Sequence, residues 1–90
     1  MSCYIVSFQA KELTTRQALR ERLKTYPSYC AINNTCWAIV TDQKSAEIRD
    51  HLKDLLQTGD RIFVVRSGTE GAWRNAAGGV TANEWLKENL

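Results

Sequence analysis

A glycine-containing stretch after residue 66 carries residues suited to binding an anion. Arg66 and Arg74 bracket residues 67–71, which include two glycines, and Trp73 lies beside the second arginine. Backbone N–H groups in such turns can bind a phosphate, guanidinium groups can pair with it, and an indole can stack on a base. The alternative is a connecting loop in which Trp73 packs into the core, because the GxxxxGK[ST] pattern is absent. We therefore predict ligand contacts from Arg66, Trp73 and Arg74.

A second group of basic side chains recurs at every fourth residue of a predicted helix. Arg16, Arg20 and Lys24 share one face at this spacing and could follow a phosphate backbone. Glu12 and Glu21 lie nearby and reduce the positive charge of that face. The alternative is an ordinary solvated helix face. We include Arg16 and Arg20 among the predicted ligand-binding residues.

Two aspartates stand near predicted strand ends, where they could bind a cation. These are Asp42 and Asp60. Aspartate is also common in turns, so the alternative is that Asp42 caps the turn into the second helix and Asp60 belongs to the turn that precedes the last strand. We predict no metal ligands.

The three cysteines do not form a recognisable reactive site. The chain has an odd number of cysteines, Cys3, Cys30 and Cys36, and their spacing is not paired. This pattern argues against a secreted disulfide framework and against a zinc site. Nucleophilic catalysis by a cysteine would need a base within reach, and His51 is the single histidine. Cysteines within apolar strands usually behave as small hydrophobic residues. We therefore predict no catalytic residue and no cofactor.

Composition places the chain among ordinary globular proteins. Its 90 residues fit one domain, 43% of them are hydrophobic and 24% are charged. A net charge of +2 neither requires nor excludes an anionic partner. The first ten residues lack the pattern of a signal peptide, and no apolar run reaches the length of a membrane span. These features predict a soluble cytoplasmic protein with reduced thiols and no membrane contact.

Hydrophobic periodicity predicts the elements that position these residues. Short β-prone runs predict four strands, over residues 3–8, 29–32, 35–40 and 61–66. Asn33 and Asn34 predict a tight turn between the second and third strands, because asparagine tolerates positive φ.

Three helices are predicted between and after these strands. The first buries Leu19, Leu23 and Tyr26 and ends before Pro27. The second begins near Ser45, buries a stripe of apolar residues and is closed by Gly59 as a C-terminal cap. The third covers residues 81–89, since the spacing of Thr81 and Glu84 fits a capping box, and we expect its docking residues to be Trp85, Leu86 and Leu90.

The order β-α-β-β-α-β predicts a ferredoxin-like α+β domain over residues 1–90, with residues 67–90 appended to its core. Such a domain has a four-stranded antiparallel sheet with two helices on one face. The third and fourth strands are apolar on both faces, so the second sheet face must meet the C-terminal segment or another subunit. We predict a homodimer.

Several strings of the sequence, in their order and spacing, resemble the SinR-like family, relatives of the small ferredoxin-like subunit of CRISPR adaptation complexes. The strings are SCYIVSF, NNTCWAIV, SAEIRDHL, GDRIFVV, GAWR and EWLKENL, and together they span almost the whole chain. The resemblance implies the ferredoxin-like fold, a homodimer and contact with nucleic acid.

The same resemblance bears on catalysis. Some of the CRISPR relatives are described as metal-dependent nucleases that use an aspartate at the end of the first strand, and others as scaffolds that hold duplex DNA. Here Gln9 occupies the matching position. A neutral amide is a poor substitute for a carboxylate as a magnesium ligand, so metal-dependent cleavage is not expected.

The sequence therefore predicts a small, homodimeric, non-enzymatic module that binds nucleic acid or nucleotide. Two alternatives remain open. One is a degenerate metal-dependent nuclease that uses Asp42 or Asp60. The other is a protein-interaction subunit that uses the apolar sheet face.

Overall fold

Strand β1 lies at the interior of the sheet and pairs with two neighbours. The computed structural model describes residues 1–68 and 79–89. The elements, in chain order, are β1 (Ser2–Gln9), α1 (Leu13–Leu23), β2 (Ser28–Asn33), β3 (Cys36–Thr41), α2 (Ser45–Lys53), β4 (Arg61–Arg66) and α3 (Gly79–Asn89). Among these described residues, no helix is both long enough and apolar enough to cross a membrane.

The four strands form one antiparallel sheet in the order β2-β3-β1-β4. This order separates β1 from β2 by β3, and β3 from β4 by β1, so each helix crosses over an intervening strand. The predicted ferredoxin-like α+β fold is confirmed.

Helices α1 and α2 cover the inner face of the sheet. Alternate strand residues point to this face and pack against the apolar stripes of both helices. The fully or almost fully buried members of this core are Tyr4, Val6, Phe8, Ala10, Leu19, Leu23, Tyr26, Trp37, Ile39, Ile48 and Leu52.

Both helices end earlier than their apolar patterns suggest. Helix α1 ends at Leu23, and the buried Tyr26 lies in the turn that follows, where its N–H donates to the Leu23 carbonyl at 3.3 Å. The prediction that Gly59 caps α2 is wrong, because α2 ends at Lys53. The chain turns there so that the half-buried Leu55 packs against the core, and Gly59 lies in the next turn with φ +89°.

The β2–β3 turn lies one residue further along the chain than the asparagine pair predicts. Asn33 is the last residue of β2, and its side-chain oxygen accepts the Thr35 N–H at 2.9 Å. This bond makes an Asx-type turn, which closes the hairpin through Asn34.

Helix α3 covers the part of the outer sheet face that β2 and β3 provide. Ala82 and Leu86 are buried against Cys30 and Ala38, and Trp85 Nε1 donates to Ser28 Oγ at 2.7 Å. Docking through Trp85 and Leu86 is confirmed, whereas Leu90 lies outside the described residues.

The part of the outer face that β1 and β4 provide is much more open. Ile5 is half-buried, while Phe63 is 63% and Val65 43% exposed. The C-terminal helix therefore covers only part of this second apolar face.

Candidate functional site

Two pairs of directly opposite residues on β1 and β4 define the most distinctive part of the open face. Gln9 of β1 lies opposite Arg61 of β4, and Ser7 lies opposite Phe63. Strand alternation points all four side chains to the outer face, and paired positions hold Cβ atoms roughly 5 Å apart. We call Ser7, Gln9, Arg61 and Phe63 the outer-face quartet. It combines an amide, a guanidinium, a hydroxyl and an exposed aromatic ring.

A groove of about 650 Å³ opens at the quartet. Its lining consists of Ser7, Phe8, Gln9, Leu56, Asp60, Arg61, Ile62 and Phe63. A second hollow, of about 260 Å³, shares Gln9 and Arg61 with the groove and extends to Lys11. The groove volume lies within the range typical of small-molecule sites.

Asp60 shapes one wall of this groove by holding a turn. Its carboxylate accepts the Gln57 N–H at 2.9 Å and the Lys11 N–H at 3.3 Å. Gly59, with its positive φ, provides the backbone conformation that this turn requires. The turn interpretation of Asp60 therefore agrees with the structure, because both carboxylate oxygens accept backbone N–H groups.

Asp42 lies at the opposite end of the sheet from Asp60. It follows Thr41, which pairs with Ser2 at the start of β1, whereas Asp60 precedes Arg61, which pairs with Gln9 at the end of β1. The length of β1 separates the two ends by roughly 20 Å, so the two aspartates cannot share one cation.

The local contacts of Asp42 differ from the predicted cap. Its carboxylate is exposed and lies 3.5 Å from the N-terminal amine of Met1. At the start of α2, the Lys44 N–H instead donates to the Glu47 carboxylate at 3.1 Å. Within the described part of the chain, no three His, Cys, Asp or Glu side chains are grouped closely enough to hold a metal ion.

The predicted basic stripe on α1 bonds largely to its own protein. Arg16 Nη1 donates to the carbonyls of Ala10 and Lys11 at 3.0 and 3.3 Å, and Arg20 Nε donates to the Asn34 carbonyl at 3.3 Å. These bonds hold the β1–α1 connection and the hairpin against the helix. A guanidinium has five N–H donors, so both arginines keep donors for a ligand.

Arg66, another of the predicted ligand-binding residues, does not lie with the quartet. Arg66 is exposed at the far end of β4, opposite Tyr4, which places it roughly 16 Å along the strand from Arg61. Trp73 and Arg74 lie outside the described residues. Of the three predicted residues that the structure describes, Arg16 and Arg20 are held at the groove end of the sheet. Arg16 bonds to residues 10 and 11, and Arg20 bonds to Asn34, whose neighbour Thr35 accepts the Phe8 N–H.

The cysteines face away from the histidine. Cys3, Cys30 and Cys36 belong to the outer face, and burial raises the pKa of each thiol. His51 lies on α2, on the other side of the sheet, with its Nδ1 2.8 Å from the hydroxyl of Tyr26. Because the sheet separates the thiols from the imidazole, no Cys–His pair forms, in agreement with cysteines that act as small hydrophobic residues.

Sequence reasoning missed Arg61 and Phe63 as candidate binding residues. In the sequence, Phe63 was interpreted only as an apolar residue of the fourth strand. Gln9 was interpreted only as a residue that replaces a carboxylate. The signal was available in the fold, since a ferredoxin-like order makes β1 and β4 antiparallel neighbours. The end of β1 then has to meet the start of β4, which brings Gln9 beside Arg61.

No known family model matches this chain, and no curated protein matches it either. The similarity to SinR-like proteins stays a prediction based on the strings given above.

Proposed function

We propose that this chain is a small, homodimeric, non-enzymatic module that binds nucleic acid or nucleotide. The observation that supports this best is the sequence of side chains along the open half of the outer face. The directly paired Ile5 and Val65 are apolar, and the paired Gln9 and Arg61 at the groove are polar and basic. One face thus offers a surface for a second copy and, next to it, a surface for an anion.

The apolar end of this face suits a second copy of the chain. The half-buried Ile5 lies beside Val65, which is 43% exposed, and the exposed Phe63 is the next outer-face residue of β4. A contiguous apolar surface of this kind is suited to an interface. A two-fold axis through the Ile5–Val65 pair would place the same side chains against themselves, as in most homodimers. In this arrangement Phe63 stays at the border of the interface, where the groove opens.

The basic end of the face suits a phosphate. Within the described residues, neither Lys11 nor Arg61 has a carboxylate partner within 4.0 Å, whereas Arg49 and Lys53 on α2 are both paired with Asp50. Cations without an ion-pair partner attract anions more strongly than paired ones. The Asp60 carboxylate also lines the groove and the hollow, but both of its oxygens accept backbone N–H groups. The three cysteines are free thiols, which suits the proposed cytoplasmic setting.

The test is salt-dependent binding of a labelled, mixed-sequence single strand to the whole protein in the presence of a chelator. We expect the double variant Lys11→Ala/Arg61→Ala to bind more weakly and to lower the slope of log K against log salt by roughly 1.4, since each phosphate contact to a single strand contributes about 0.7. The matched control, Arg49→Ala/Lys53→Ala, removes the same charges from α2 and should keep the wild-type slope.

Other results would change the assignment. An unchanged slope in the Lys11/Arg61 variant, with loss of binding in Arg66→Ala, would move the anion contacts to the far end of β4. Cleavage of the strand that requires magnesium would favour the nuclease alternative.

A further inference from the structure

The outer-face quartet has the chemistry to recognise a base as well as a phosphate. Phe63 is the most exposed aromatic side chain described on the sheet, and it lies between Arg61 and Val65 on the same face of β4. An aromatic ring on an open strand offers a stacking surface for any base. A site that bound only the phosphate backbone would have no use for this ring.

Gln9 lies where it can reach the edge of a base stacked on Phe63. It is exposed, it projects from the same face as Ser7, and the Ser7–Phe63 pair is the next outer-face pair along the two strands. Gln9 and Phe63 are therefore diagonal neighbours across the two strands, and such positions are roughly 7–8 Å apart, which is within the reach of a long side chain. A side-chain amide presents one acceptor and two donors, and it pairs in a bidentate manner with N6 and N7 of adenine.

Arg61 and Lys11 then lie on the side of the groove where a phosphate would fall. Arg61 is directly opposite Gln9, and Lys11 lines the hollow that continues the groove. The wall between them is fixed, because Asp60 binds the N–H groups of Gln57 and Lys11. Along the face, Phe63 is therefore followed by Gln9 and Arg61, which lie side by side, and then by Lys11. A base on the ring would have the amide beside its edge, and the phosphate would fall between the two cations.

We propose that the quartet binds one unpaired nucleotide, with its base stacked on Phe63, its edge read by Gln9, and its phosphate held by Arg61 and Lys11, with a preference for adenine. This inference rests on the proposed function and deepens it by naming the form of the ligand. A base within a duplex is stacked on its neighbours and cannot lie on Phe63, so the ligand is a single strand or a free nucleotide.

The experiment measures binding of labelled decamers of adenine, of uracil and of abasic sites to the wild-type protein and to five variants. The wild type should bind the adenine decamer about tenfold or more tightly than the abasic one, because stacking is lost in the latter. Phe63→Leu should abolish this difference, and Gln9→Ala should abolish the preference for adenine over uracil.

Matched controls come from the chain itself. Tyr29→Leu removes an exposed ring from the other edge strand, and Gln17→Ala removes an exposed amide from α1, so both should behave as the wild type. Sedimentation of each variant shows whether the change has altered the oligomeric state. If AMP competes with the decamer and ribose 5-phosphate does not, a free nucleotide is sufficient for binding. If AMP does not compete, the ligand is the single strand.

The outcomes separate this inference from the proposed function. If the wild type binds the adenine and abasic decamers equally well, and Arg61→Ala loses binding to both, the quartet does not bind a base. The proposal of an anion-binding module would then still stand. Failure of every probe to bind would overturn both.

Discussion

Leu19→Ala should lower the free energy of unfolding by about 2–5 kcal/mol, the usual cost of emptying a buried leucine site. Leu19 is fully buried on the inner face, among the core residues that hold α1 and α2 against the sheet. Neighbouring strand residues are fixed by sheet pairing and cannot collapse into the space. Urea unfolding followed by circular dichroism, at one fixed protein concentration, measures the change.

Leu13→Ala is the matched control for this prediction. Leu13 is the first residue of the same helix and is 55% exposed. Its truncation should change the free energy of unfolding by no more than about 0.5 kcal/mol. Equal losses in the two variants would mean that α1 does not pack on the sheet through the face that contains Leu19.

Val65→Asp should convert the protein from a dimer into a monomer. The wild type should sediment at about 20 kDa, twice the chain mass of 10.2 kDa. An aspartate in the centre of the proposed interface would be buried without a partner, which opposes association strongly. The isolated chain should tolerate it, because Val65 is 43% exposed there. Sedimentation equilibrium at several concentrations measures the mass.

Leu13→Asp provides the control for the added charge, since it changes an exposed apolar residue on α1 rather than on the sheet. It should leave the dimer intact. A Val65→Asp variant that remains dimeric would place the interface elsewhere. A wild-type monomer at high concentration would leave the open face for a different protein, as in the interaction-subunit alternative.

The elements and their order were predictable from local patterns, because the strands are short β-prone runs and the helices carry apolar residues at helical spacing. The alternation of Trp37 and Ile39 with Ala38 and Val40 fixed the two faces of β3, and the structure places them as expected. Helix ends were less predictable. The positive φ of Gly59 suits a helix cap and a turn equally well, and only the packing of Leu55 decides between them.

The candidate site was less accessible to sequence reasoning because it arises from strand pairing over a long separation. Gln9 and Arg61 are neighbours through the register of β1 and β4, which no local pattern encodes. By contrast, Arg16 and Arg20 are conspicuous in the sequence because of their spacing. The structure shows that both bind backbone carbonyls, which spacing alone does not reveal.

The most direct test of the proposed binding face is to map amide chemical shifts of the isotope-labelled protein during titration with the adenine decamer. We expect the largest changes at the outer-face quartet and at Lys11, with little change at Arg20 on α1 or at Trp85 on α3. Changes centred on the α1 stripe or on α3, or no changes at any ligand concentration, would contradict the assignment of the β1–β4 face as the binding surface.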